Sequence, residues 1–178
     1  MSKVLAIDTS TSRTSVAIIQ DGKVVFSGFR DGATAHGPSL PALVQEALAI
    51  SDVDEVVVGM GPGPFTGLRV GIAFAQSFAL ARQIPVRGVC SLDAIAAQIQ
   101  KDDFIITVDA RRKEVYWARY TNGVRVADPA VNLPADVTGA AIHADLFPDM
   151  VSLSNLPGNI TEPIYLRRPD AVATADRP

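Results

Sequence analysis

Several stretches of this sequence carry residues of the kinds that hold metals, phosphates or nucleophiles. Asp8-Thr-Ser-Thr-Ser12 puts a carboxylate at the end of an apolar run, residues 4–7, and follows it with four hydroxyl side chains. A carboxylate so placed can hold a divalent cation while Thr9, Ser10 and Thr11 offer hydroxyl and N–H groups to a phosphate; polar hairpin turns of this composition are also ordinary connectors. Gly59-Met-Gly-Pro-Gly-Pro-Phe-Thr-Gly-Leu-Arg69 is the second stretch. Its first glycines admit positive φ and close backbone approach, and its prolines stiffen the turn. A helix starting at Phe65 or Thr66 would aim unpaired N–H groups at an anion. A rigid strand-to-helix connector fits the same residues. Arg69, in the first helical turn, opposes the helix dipole and suits either an anionic partner or plain solvation. The two histidines, His36 and His143, lie far apart. A zinc or iron site needs about three converging ligands, so no metal is expected. The single Cys90 excludes an internal disulfide and reads as a buried small hydrophobe.

These residues need elements to position them. Residues 4–7, 14–19 and 24–29 read as three consecutive antiparallel strands, with Asp21-Gly22 as a hairpin turn. Pro38 opens a helix to Ile50, residues 56–58 form the strand before the glycine-rich turn, and a helix runs from Thr66 to Arg82. A short strand at 85–89 leads to Ser91, expected to cap a helix to about Gln100. A second β-β unit begins at Phe104, turns at 110–113 and continues to Tyr120, and Asn122-Gly123 marks another hairpin. Only short elements fit beyond Asp128, and residues 171–178 read as a frayed tail. Ile7-Asp-Thr-Ser and Val108-Asp-Ala-Arg open the two halves alike, which suggests a duplicated lobe. The division expected is 1–101 for the first lobe and 102–178 for a smaller second lobe with its tail.

With 48% hydrophobic and 20% charged residues the chain affords a packed core. No apolar run approaches a membrane span, and no signal-peptide pattern precedes the first strand. A cytoplasmic protein is expected. A net charge of -3 argues against a strongly basic nucleic-acid surface.

Leu5-Ala-Ile-Asp-Thr-Ser-Thr11, Gly61-Pro-Gly-Pro-Phe-Thr-Gly-Leu-Arg69, Asp109-Ala-Arg-Arg-Lys-Glu-Val-Tyr116 and Pro163-Ile-Tyr-Leu-Arg-Arg-Pro-Asp170 together resemble the TsaB family. The resemblance covers residues 3 to about 120 and resumes at 162–171. It implies a duplicated α/β fold of the actin/hexokinase-like (ASKHA) type with a trimmed second lobe. It also implies a non-catalytic accessory subunit for tRNA threonylcarbamoyladenosine biosynthesis, without a cofactor. The implied partners are a TsaD-type catalytic paralogue and a TsaE-type ATPase, with a homodimer when alone and tRNA met only indirectly. The catalytic subunits of that system hold a metal with His-x-x-x-His; here the matching segment is His36-Gly-Pro-Ser-Leu40, so His36 is expected to cap its helix or join a subunit contact.

The remaining expectations concern sites. Asp8, Thr9, Ser10, Thr11, Arg69 and Asp109 are the candidates for a vestigial nucleotide or anion site. The phosphate and adenosine glycine loops of sugar kinases are missing from 121–178, so a pseudo-ATPase is favoured over the alternatives, an ATP-dependent sugar/acetate-class kinase or a metallopeptidase-like protein. Both long helices are apolar around most of their circumference, whereas a helix on a sheet needs only a stripe of about 100°. Leu40, Leu43, Val44, Ala47, Phe65, Leu68, Arg69, Ile72 and Gln76 are the expected partner interface, with Gly67, Gly71 and Ala75 as a small-residue row for close helix approach. Trp117 is expected to pack between the lobes. Tyr165 is expected to dock the C-terminal stretch on the first lobe, and an RNA contact by Arg167 and Arg168 is not favoured.

Overall fold

The computed structural model describes residues 2–167. The tail at 171–178 and Arg168 therefore lie outside the described residues. β1 (Lys3–Asp8), β2 (Arg13–Gln20) and β3 (Lys23–Asp31) form an antiparallel meander; then come α1 (His36–Ile50), β4 (Glu55–Gly59), α2 (Phe65–Arg82), β5 (Val86–Val89) and α3 (Ser91–Ala96). Asp21 and Gly22 take φ of 51° and 72°, the left-handed pair that a two-residue hairpin demands. β4 joins β1 and β5 joins β4, both in parallel, giving the sheet order β3-β2-β1-β4-β5.

The second half repeats this plan on a smaller scale. β6 (Asp103–Asp109) and β7 (Val115–Thr121) pair antiparallel as β1 and β2 do, and β8 (Val124–Arg125) and β9 (Ala130–Asn132) line the far edge of β7. β10 (Ala141–His143) joins β6 in parallel, as β4 joins β1. The last helix, α4 (Met150–Asn155), starts at Asp149, whose carboxylate accepts the Ser152 N–H at 2.7 Å. The fold is therefore a duplicated α/β architecture of the actin-like type.

Alternation along β1 decides which helices cover which face. Leu5 and Ile7 point to α1 and α2, whose stripes Leu40, Leu43, Val44, Ala47 and Leu68, Ile72, Ala75, Ala79 complete one core. Ala6 points the other way, with Val57 and Val89, toward Ala94 of α3 and Leu153 of α4. A helix from the second half thus closes the first sheet. A further core joins Cys90, Leu92 and Ile95 to Phe104, Ile106, Ala118 and Tyr120.

This packing corrects the expected interface. Leu40, Leu43, Val44, Ala47, Leu68 and Ile72 are 0–6% exposed. They belong to the sheet-facing stripe that holds each helix down, at i, i+3, i+4, i+7 in α1, and are buried within this chain itself. Phe65 is half-buried, and only Arg69 and Gln76 of the expected set are exposed. Other expectations change as well. α3 ends at Ala96 rather than near Gln100, because Gln98 and Ile99 bond back to Ile95 and Ala96 in tight 3₁₀-type turns. Ser91 makes no cap. On β7 the buried residues are Tyr116, Ala118 and Tyr120. Trp117 lies on the opposite face, half-exposed, and donates to Asn132 at 2.8 Å instead of packing between lobes.

Candidate functional site

At the end of β1 the chain folds around the Asp8 carboxylate. Oδ1 accepts the Ser10 N–H at 2.9 Å and the Ser10 hydroxyl at 2.8 Å, and Oδ2 accepts the Ser91 hydroxyl at 2.6 Å. Ser91 Oγ in turn accepts the Gly61 N–H at 3.3 Å. The Thr9 hydroxyl donates to the Gly67 carbonyl at 2.8 Å. Asp8, Thr9, Ser10 and Thr11 are 1–5% exposed. Burial raises the Asp8 carboxyl above its ordinary value, opposed by the hydrogen bonds from Ser91 and Ser10.

The glycines of the 59–71 stretch explain how this turn is sealed. A Cβ at Gly59 would collide with Asp8 Oδ2 and come within 2.5 Å of Ser91 Oγ. A Cβ at Gly71 would collide with Thr9 Oγ1, and Gly63 and Gly67 lie against the Ser10 and Thr9 backbone. These glycines admit the protein's own turn, not a phosphate, and Gly67, Gly71 and Ala75 face inward rather than toward a partner. Asp8 is enclosed, with both of its carboxylate oxygens hydrogen-bonded within the protein.

Asp109 makes the same local turn, its Oδ1 accepting the Arg111 N–H at 2.9 Å, but it is exposed. It lies beside a cavity of about 590 Å³ between the halves, with Thr11, Ser12, Pro64 and Phe147 on its walls. The structure does not unite the expected anion site: Asp8 is enclosed, Asp109 opens on the cleft, and Arg69 lies elsewhere. The Arg69 guanidinium sits 4.4 Å from the Phe65 ring centroid, so an aromatic face meets it. His36 is likewise no cap. It is buried, its Nδ1 2.8 Å from the Thr14 hydroxyl, and burial holds its pKa below the ordinary value against the pull of Asp8. Among the described residues no group of three or more His, Cys, Asp or Glu gathers to hold a metal.

The outer faces of α1 and α2 expose Ala42, Ala49, Ile50, Ala73, Leu80 and Ala81, with Ile50 63% and Leu80 80% accessible. Phe74 and Phe78 stack beside them at 6.0 Å. A second cavity, about 700 Å³, opens where the two helices begin, between Phe65, Tyr116, Tyr165 and Arg167.

Residues 157–167 run as a strap across the β5 edge. Ile160 bridges Gly88, the Ile164 N–H bonds the Met60 carbonyl at 2.8 Å, and the Tyr165 ring lies 4.9 Å from Phe65. Arg167 donates to the Ala110 carbonyl at 2.9 Å and pairs with Glu114. Arg87 pairs with Glu55 and donates to the Ser154 and Leu156 carbonyls at the end of α4. Ser91 and Arg87 take positions in this framework that the sequence reading did not assign to them. Their partners are 83 and 67–69 residues away, and no local pattern marks them.

The model of the family TsaD, tRNA N6-adenosine threonylcarbamoyltransferase, matches residues 31–169. TsaB of Escherichia coli, a tRNA threonylcarbamoyladenosine biosynthesis protein, is 36% identical over 127 residues, covering 66% of this chain and 54% of its own length. The chain belongs to the TsaB family. The chain thus spans about half the length of that TsaB relative. An uncharacterized protein of Mycobacterium tuberculosis is 45% identical over 200 residues, covering 96% of this chain and 94% of its own. The solved structure of YeaZ from Pseudomonas aeruginosa superposes with a TM-score of 0.73 at 29% identity, over 86% of this chain and 89% of that one. Ethanolamine utilization protein EutJ from Carboxydothermus hydrogenoformans shares the fold alone, with a TM-score of 0.51 at 12% identity over 72% of this chain and 51% of that one. Among the described residues no helix is long and apolar enough to cross a membrane.

Proposed function

We propose that this chain is a non-catalytic subunit of the cytoplasmic assembly that builds threonylcarbamoyladenosine in tRNA. In this reading it docks on a TsaD-type catalytic paralogue through the outer faces of α1 and α2, pairs with a second copy when alone, and works beside a TsaE-type ATPase. The modified adenosine is handled by the paralogue. The observation that carries the non-catalytic reading is the filled Asp8 turn: its carboxylate is spent on Ser10 and Ser91 behind a wall of glycines, where an actin-like ATPase needs room for metal and phosphate. The exposed apolar residues of the two helices support the docking.

Co-purification with the paralogue is the test. Ala73→Arg and Leu80→Glu lie on the outer faces, so both are expected to fold and to lose the partner. Leu43→Arg buries a charge in the core and is expected to unfold the chain instead. Wild-type capture by both outer-face variants would sink the docking. Full tRNA modification by the paralogue without this chain would sink the subunit role.

A further inference from the structure

The exposed charges of the two long helices are Glu46 on α1 and Arg69 and Arg82 on α2. Glu46 accepts from Arg30 at 2.9 Å, and Arg82 pairs with Asp52. Among the described residues no carboxylate pairs with Arg69. Its guanidinium lies over the ring of Phe65, one turn earlier, 4.4 Å from the centroid. A ring face beneath the guanidinium plane leaves its in-plane N–H fork directed at an acceptor elsewhere. The position is also one that a helix disfavours for a cation, near the positive end of α2. Arg69, Ala73, Gln76 and Leu80 recur at i, i+4, i+7 and i+11, so they share the outward stripe of α2. The outward residues of α1 beside it include Ala42, Gln45 and Ala49, small or polar and uncharged.

Covering this face takes the Arg69 guanidinium out of water, which is costly unless a counter-charge meets it. Two occupants of the face differ on that point. A second copy brings the same residues, and the one acid of its two helices, Glu46, is held by its own Arg30. A different protein can bring a carboxylate. We propose that Arg69 selects the occupant of this face: a partner protein whose apolar helical surface carries an Asp or Glu opposite Arg69, in preference to a second copy of this chain. The inference rests on the docking reading above and adds to it the charge that decides between partners. The partner's carboxylate meets the guanidinium fork with both oxygens, while the Phe65 ring holds the guanidinium plane in position. Matching of this kind confers specificity more than raw affinity, because the wrong partner leaves the charge unpaired.

The test sets two associations of the full chain side by side: calorimetric titration with the TsaD-type paralogue, and sedimentation equilibrium of the chain alone. Arg69→Leu removes the charge and keeps apolar bulk. It should weaken the paralogue complex by about thirtyfold or more, because the partner's carboxylate is left unpaired. It should tighten self-association by about threefold or more, because no lone guanidinium is then buried. Leu80→Glu should weaken both. Circular dichroism checks that each variant folds. If Arg69→Leu binds the paralogue as wild type does while Leu80→Glu loses it, the inference is overturned and the docking stands. Self-association that Arg69→Leu fails to tighten would overturn it too, reducing Arg69 to a packing role on Phe65. So would a wild-type chain that binds itself more tightly than it binds the paralogue. If Leu80→Glu also keeps the paralogue, the docking face itself is wrong and the inference falls with it.

Discussion

A single methyl group at Gly71 separates two accounts of α2. On an outward face, Gly71→Ala would stabilise the helix by about 1 kcal/mol and disturb only a partner. In the structure the new Cβ falls well under 3.0 Å from Thr9 Oγ1 and 3.3 Å from Thr9 Cβ and Cγ2. Overpacking of this kind costs about 1–3 kcal/mol. Driving the Thr9 hydroxyl from the Gly67 carbonyl, 2.8 Å away and buried, adds about 1–3 kcal/mol for an unsatisfied polar group. Set against the propensity gain, the net loss is about 3 kcal/mol. Thr9→Ala removes the two clashing side-chain atoms at a cost of about 1 kcal/mol for the lost hydrogen bond. The double variant Thr9→Ala/Gly71→Ala should therefore recover most of the stability, with a coupling energy of about 3 kcal/mol. Urea unfolding followed by the single tryptophan, Trp117, measures all four proteins. A neutral or stabilising Gly71→Ala, or additive losses in the double variant, would refute the packing of the Asp8–Thr9 turn against α2.

Three further outcomes are expected. Asp8 is raised above 3.8 by burial, against the Ser91 and Ser10 hydrogen bonds; its contribution to stability is present below pH 3.8 and is lost as pH rises through the folded value. Asp8→Asn keeps an acceptor for Ser10, so its Tm relative to wild type should climb as pH rises above 3.8; a pH-independent difference contradicts the buried carboxylate. His36 has the opposite sign. Burial depresses it below 6.5, so its contribution is present above pH 6.5 and lost as pH falls through the folded value, and His36→Gln should flatten the acid side of the Tm profile. Arg87→Ala removes the donor to the Ser154 and Leu156 carbonyls and should cost about 3 kcal/mol, with hydrogen exchange quickening first in α4. Arg87→Lys should rescue little, because an ammonium lacks the planar fork that meets Glu55 and both carbonyls together; full rescue would show that charge alone suffices.

Much of the fold could be read along the chain. Asp21-Gly22 and Asn122-Gly123 carry turn chemistry within two residues, and the echo of Ile7-Asp8 in Val108-Asp109 reappears as β1-β2 and β6-β7. The interface was misread for a physical reason. Leu43 and Ile72 are among the apolar residues each helix turns to its own sheet, while Ala73 and Leu80 stay exposed on the outer faces. Periodicity at i, i+3, i+4, i+7 marks the first set, and nothing local marks the second. The sealing of Asp8 was also out of reach, because it depends on Ser91, 83 residues away, and on glycines whose neighbours only the fold supplies.

The position of α4 bears on how the chain acquires its shape at the ribosome. β1, β2 and β4 are complete by Gly59, yet the helix that covers their second face is residues 150–155. At about 5–20 residues per second, synthesis leaves that face open for roughly 5–20 s. The face is lined by small residues such as Ala6, which offer little for another nascent chain to grip. The N-terminal half can therefore wait half-covered until α4 arrives to close that face.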